Sequence, residues 1–206
     1  IDWWAEPVDK EAVDWYFMGY GHEYRKAVSD YAKIGGHMNM PPLYTLGYWY
    51  SKYQKYTQQE FMDIVNEIKS HDIPLDVMIF DMDWHDRDWT GWTWDKTVIP
   101  EPEKLIKFMH DNKLRVALNL HPADGVDNDE EFFSDMTRDL GLPASTKNIP
   151  WNLEDSTFYK VMFKDILRKR EAQGVDFWWL DWQQHLQSKN VKGLGETFWH
   201  NHVFYN

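Results

Sequence analysis

Cysteine is absent from the 206-residue chain. That excludes disulfide staples, thiolate metal sites and cysteine nucleophiles, and it leaves the redox compartment open. No apolar run approaches the roughly 20 residues needed to cross a bilayer, and no secretory signal is visible. Basic residues are in the minority: 22 Lys and Arg against 34 Asp and Glu give a formal net charge of -12. Such a balance repels phosphate backbones and anionic lipid surfaces, so neither nucleic acid nor membrane is expected as a partner. A Gly-rich phosphate loop and a G-x-S-x-G elbow are both missing, which counts against dinucleotide binding and serine esterase chemistry. His110, His121 and His185 fall on separate elements without metal-ligand spacing. The acidic run from Asp124 to Glu130 has its glycine misplaced for an EF-hand loop and reads as a solvated loop. No metal or organic cofactor is expected.

Aromatic residues, by contrast, are abundant. They make up 17% of the chain, with 13 Trp, 11 Tyr and 11 Phe. Beyond core packing, such an excess suits a flat-walled site that stacks sugar rings or bases. The length is enough for one domain with a sizeable core. The chain opens on Ile1 and stops in an aromatic stretch, so both ends read as cut from something longer.

After Pro41-Pro42 a regular alternation begins. Strands are expected at residues 43–49, 75–80, 115–120 and 175–180. Helices are expected from about Thr57, from Pro102 to Asn112, around 129–140, from Ser156 to Arg170, and from Glu196 onward. Thr57 and Glu60 have the spacing of a capping box, and Pro102 suits a first helical turn. Residues 1–40 read differently: an aromatic strand-like stretch at 14–21, then a helix from His22 to Ile34 closed by Gly35-Gly36. Strand and helix in alternation mean parallel βαβ units, as a doubly wound sheet or a (β/α)8 TIM barrel. Polar and aromatic residues gather just after each strand, where a barrel carries its active site. Only about the first four βα units of such a barrel are present.

Two acids occupy strand ends: Asp81, in Asp81-Met82-Asp83-Trp84, and Asp181, in Asp181-Trp182-Gln183-Gln184. Strand-end carboxylates converge on one mouth, as glycoside cleavage by a carboxylate pair requires. An Asp after a parallel strand also serves as a plain turn residue. Trp49, Trp84, Trp89, Trp92, Trp94, Trp179 and Trp182 are candidate stacking walls, and His121 follows the third strand toward the same mouth.

Four stretches, in order, make residues 41–184 resemble glycoside hydrolase family 31, the α-glucosidase and α-xylosidase family. They are Pro41-Pro42-Leu43-Tyr44-Thr45-Leu46-Gly47-Tyr48-Trp49; the segment from Ile73 through Asp81-Met82-Asp83-Trp84; Thr93-Trp94-Asp95 with Pro100-Glu101-Pro102; and Gly174-Val175-Asp176-Phe177-Trp178-Trp179-Leu180-Asp181. The resemblance implies the first half of a catalytic barrel at residues 41–206, preceded by the end of a β-sandwich domain and a linking helix at 1–40. It implies a retaining α-glycoside hydrolase acting on α-linked glucosides or related sugars, with Asp181 as nucleophile. Asp81 would then bind sugar hydroxyls and Trp179 would form a wall of the same subsite. The expected partners are an oligosaccharide or glycoside and the remainder of the barrel, which would carry the acid/base Asp. The chain departs from the family where Trp182-Gln183-Gln184 replaces the usual Met-Asn-Glu or a similar triplet, which leaves the sugar preference open. An α-galactosidase-like barrel enzyme and a non-catalytic carbohydrate-binding protein are the alternatives.

Overall fold

A computed structural model describes residues 15–87, 89–181 and 188–206. The chain separates into two compact units, Ile1–Leu43 and Tyr44–Asn206. In the first, helix α1 (Tyr24–Gly35) starts two residues later than expected and gives way at Gly36, whose φ of 86° suits glycine. Asp30 accepts hydrogen bonds from Tyr20 Oη at 2.7 Å and Lys33 Nζ at 2.6 Å. The aromatic stretch expected as a strand forms none over its described residues, 15–21.

The second unit opens with a correction. Leu43–Leu46 is a 3-10 turn, and the first strand, β1, is only Trp49–Tyr50. The alternation of large residues at 43–49 mimics a strand. However, Gly47 lies so close to Asp76 that a Cβ there would be 2.0 Å from its Oδ2, and the same carboxylate accepts from Tyr48 N. Asp76 N and Val77 N donate to the Tyr48 carbonyl, so backbone pairing with β2 begins at Tyr48 and the residues before it coil.

Helix α2 (Gln58–Ser70) begins on the expected box: Thr57 Oγ1 accepts from Glu60 N, and Glu60 Oε2 accepts from Thr57 N at 2.7 Å. Strand β2 (Val77–Phe80) follows, then α3 (Pro102–Asp111) and β3 (Arg115–Leu120). A small antiparallel pair that sequence reasoning missed, β4 (Val126–Asp127) with β5 (Asn148–Ile149), brackets α4 (Phe133–Asp139). The long helix expected from Ser156 is present in three parts: α5 (Ser156–Met162), a π turn (Phe163–Leu167) and α6 (Arg168–Ala172). Strand β6 (Phe177–Leu180) and helix α7 (Glu196–Tyr205) complete the order.

The main sheet is parallel, in the order β1-β2-β3-β6. All four residues of β2 and the last five of β3 are buried, as strands covered on both faces should be. Side chains alternate between the two faces. Met78, Phe80, Val116, Leu118 and Leu120 join the large core with Phe61 and Val65 of α2, Leu105 and Met109 of α3, and Met162. Val77, Ile79 and Ala117 form a separate inner cluster with Tyr44, Trp49 and Phe177. The Phe80 and Phe61 rings lie tilted against each other, 4.6 Å between centroids, across the outer layer. Truncating a fully buried Phe of this kind costs about 3–5 kcal/mol.

At the amino ends of the strands, Asp176 accepts from His110 Nε2 (2.8 Å), an Arg115 guanidinium nitrogen (2.7 Å) and Val116 N (2.8 Å). One carboxylate therefore ties α3, β3 and the approach to β6 together at the end of the sheet opposite the candidate site.

Candidate active site

The inner face selects the site. Trp49 pairs with Val77, Phe80 with Leu118, and Leu120 with Leu180. Continuing that register one residue past each strand sets Asp81 beside Asn119, and His121 beside Asp181. Asp81, Asn119, His121, Trp179 and Asp181 all share the parity of the inner cluster. They therefore project to one side at the carboxyl ends of the strands.

The contacts confirm that convergence. Asn119, 3% exposed, donates from Nδ2 to Asp81 Oδ1 at 2.8 Å and to Asp181 Oδ2 at 3.1 Å. Asp81 also accepts from Ser51 Oγ at 3.0 Å and from Met82 N at 2.8 Å. His121 Nε2 lies 3.5 Å from Asp181 Oδ2. Burial pushes the imidazole pKa down, against the opposing pull of Asp181 and Asp81, so the ring favours its neutral form. The indole of Trp89 stacks on His121 with centroids 4.5 Å apart, while Thr90 Oγ1 donates to the His121 carbonyl at 2.8 Å. On the other side, Trp49 and Trp179 meet edge to face at 6.3 Å, and Trp179 is 39% exposed, which leaves ring surface for a ligand.

Six of the expected site residues are thus brought to one mouth: Asp81, Asp181, His121, Trp49, Trp89 and Trp179. Trp182 lies outside the described residues. Trp84 is a correction. It is 1% exposed, packs edge to face on Trp94, and donates from Nε1 to the Asn119 carbonyl at 2.8 Å. It braces the strand that carries Asn119 and offers no stacking face. Trp92 and Trp94, buried in the same core, are corrected likewise.

Sequence reasoning passed over Asn119 and Ser51. The signal for Asn119 was present, since it is the one polar residue inside the buried run Val116–Leu120. Ser51 carried none, because its partner lies thirty residues away.

The loop after β2 is fixed by the acidic run after β3. Arg87 pairs with Asp127 and, at 2.6 Å, with Asp129, while buried Glu130 accepts from Trp92 N (3.1 Å) and Thr93 Oγ1 (2.5 Å). Those carboxylates hold protein donors, and among the described residues no group of His, Asp and Glu could hold a metal ion.

Comparison with known proteins agrees with the geometry. The model of the glycosyl hydrolases family 31 TIM-barrel domain matches residues 38–204. An α-xylosidase of Saccharolobus solfataricus is 27% identical over 197 residues, which is 95% of this chain and 25% of that protein. Alpha-glucosidase 2 of Bacillus thermoamyloliquefaciens is 31% identical over 121 residues, 59% of this chain and 15% of that protein. Among solved structures, the cycloalternan-forming enzyme of Listeria monocytogenes superposes with a TM-score of 0.64 at 12% identity, covering 89% of this chain and 22% of that one. A family 31 α-xylosidase from Xanthomonas citri gives 0.58 at 20% identity, covering 78% and 19%. At such identities the structures speak for the fold, an arc of a (β/α)8 barrel. The chain spans a quarter or less of the length of each of these relatives and structures. With a family model matched over most of its length and the strand order of that barrel, this chain belongs to glycosyl hydrolases family 31, within the TIM-barrel domain.

Proposed function

We propose that this barrel segment carries the nucleophile half of a retaining α-glycosidase, with Asp181 as the attacking carboxylate. The observation that supports the reading is the shared Asn119 amide, which from β3 gathers Asp81 and Asp181 at the carboxyl ends of the two flanking strands, β2 and β6. In this reading Asp181 attacks the anomeric carbon as the glycosidic bond breaks, forming a covalent glycosyl-enzyme with inversion. Water then displaces Asp181 from the opposite side, and the second inversion restores the α configuration. Asp81, oriented by Ser51 and Met82 N, accepts from hydroxyls of the bound sugar. Trp49 and Trp179 form the wall against which the ring packs.

The proton donor to the leaving oxygen comes from barrel strands outside these four, so the remainder of the barrel is a required partner. The names of the relatives point to α-linked xylosides or glucosides as the substrate class. Trapping tests the assignment. A 5-fluoroglycosyl fluoride has a leaving group that needs no proton, and its intermediate turns over slowly. Incubation of the full-length enzyme, then peptide mass spectrometry, should place the sugar on Asp181, and Asp181→Ala should remove both label and turnover of aryl α-glycosides. A label on another carboxylate, or undiminished turnover in the Ala variant, would overturn it. Binding without turnover in the wild-type enzyme would favour a carbohydrate-binding protein instead.

A further inference from the structure

We propose that Asn119 is a positioning residue for the nucleophile, holding two neighbouring carboxylates in register through one amide group. The inference rests on the reading of Asp181 as nucleophile and deepens it, giving a role in the reaction to the amide that joins the two acids. Asp81 and Asp181 end the two strands that flank β3, and Asn119 reaches both from β3 itself. Asp81 from the end of β2 and His121 from the end of β3 are titratable groups at the same mouth as Asp181. His121 is buried and favours its neutral form, so it supplies little positive charge. Ser51, from beyond β1, donates to Asp81 alone. The Asn119 amide donates to both acids, at 2.8 and 3.1 Å.

The amide can do this because of how it is held. Its carbonyl oxygen is buried with no hydrogen-bond partner among the described residues, so the side chain forgoes an acceptor contact while it presents its donors to the acids. The reverse orientation would set that oxygen against two carboxylates. Trp84 Nε1 clamps the Asn119 backbone carbonyl from the outer face, fixing the point from which the side chain departs. Donors to the charged form favour ionisation. They also limit rotation of the Asp181 carboxylate, so its attacking oxygen stays in line.

The test is the acid limb of kcat/KM for an aryl α-glycoside in the full-length enzyme, which reports ionisation of the free enzyme's nucleophile. Asn119→Leu removes the donors at similar volume and should move that limb upward by about one pH unit. It should also lower kcat at least about tenfold while KM changes far less. Asn119→Asp keeps the shape and adds a third carboxyl, so its limb should move further in the same direction. If the Leu variant fails to fold by circular dichroism, the Asp variant carries the test alone. An acid limb within about 0.3 unit of wild type in a folded variant overturns the proposal, whatever happens to kcat. Trapping in the wild type separates the two readings. A label on Asp181 with an unmoved limb sinks only the role of Asn119, whereas a label elsewhere sinks the nucleophile assignment.

Discussion

Removing the Arg170 side chain should unlatch the loop after β2 from the helix behind it, at a cost that the contacts allow one to estimate. Arg170 sits in α6, 1% exposed, and donates from Nε to the Trp92 carbonyl at 3.0 Å. A second guanidinium nitrogen reaches the same carbonyl and Glu131 Oε2 at 2.8 Å, and the guanidinium lies 4.6 Å from the centre of the Phe132 ring. Burial lowers its pKa, but guanidinium stays charged at any working pH. Hydrogen bonds from a charged donor contribute about 1.5–3 kcal/mol, and a buried carbonyl left bare costs about 1–3 kcal/mol. Glu131 is 40% exposed and would regain water, so its abandoned charge adds little. Arg170→Ala should therefore lose about 3–5 kcal/mol. Arg170→Met, which keeps much of the packing and still strands the carbonyl, should lose about 2–3 kcal/mol. Thermal melts of the full-length enzyme at one pH, compared with wild type, rank the two variants. The control is Glu131→Gln, expected within about 1 kcal/mol of wild type. If Arg170→Ala loses less than about 1 kcal/mol, or no more than the control, the fork on Trp92 does not latch the loop.

Three other outcomes are expected. Asp81→Asn, which replaces the charged acceptor of sugar hydroxyls, should reduce kcat/KM at least about tenfold; steady-state kinetics showing less than about a twofold loss would make Asp81 a turn residue. Glu196, buried beside Glu154 and 3.2 Å from His200 Nε2, has its pKa pushed up to about 7, first by burial and then by the hydrogen bond to Glu154. The folded state then holds a proton that the unfolded chain releases near the ordinary carboxylate value, so stability should fall as pH rises from about 4.5 to about 7. Glu196→Gln should flatten that dependence in melts across the interval, and an unchanged slope would refute it. Finally, β1 and β6 are the edge strands of the sheet, and unpaired edges invite pairing with other chains. The 206 residues alone should associate in light scattering and release no nitrophenol from aryl α-glycosides; a monodisperse monomer with Asp181-dependent turnover would contradict both halves.

Much of this arrangement was legible beforehand, for identifiable reasons. Strand β3 falls on its expected limits, and the Thr57–Glu60 box starts α2 where the spacing puts it, because both signals are local. Asp81 and Asp181 were readable because a parallel strand delivers whatever follows it to the same end of the sheet. What escaped depends on contacts far along the chain. The 43–49 stretch has the alternation of a strand, yet its first four residues coil into a 3-10 turn and pairing with β2 begins only at Tyr48. Trp84, Trp92 and Trp94 have the composition of a sugar wall, yet composition does not say which face an indole takes. Loops after strands obey no period of two, so Trp89 reaches His121 while Trp92 turns into the core. Asn119 needed only the parity of β3, applied to a polar residue in an apolar run.

The π turn at Phe163–Leu167 bears on which changes of chain length this segment tolerates. A helix can absorb one added residue as a local widening, keeping its axis and the phase of the turns beyond. Arg170, in the turn that follows, still reaches Trp92 across such a widening. Strands β2, β3 and β6 have no equivalent. One residue added or deleted within β3 would exchange Asn119 for an apolar neighbour at the mouth and drive the amide into the helix layer. Lineages carrying this segment should therefore differ in length through their helices and loops, and hold their strands to constant count.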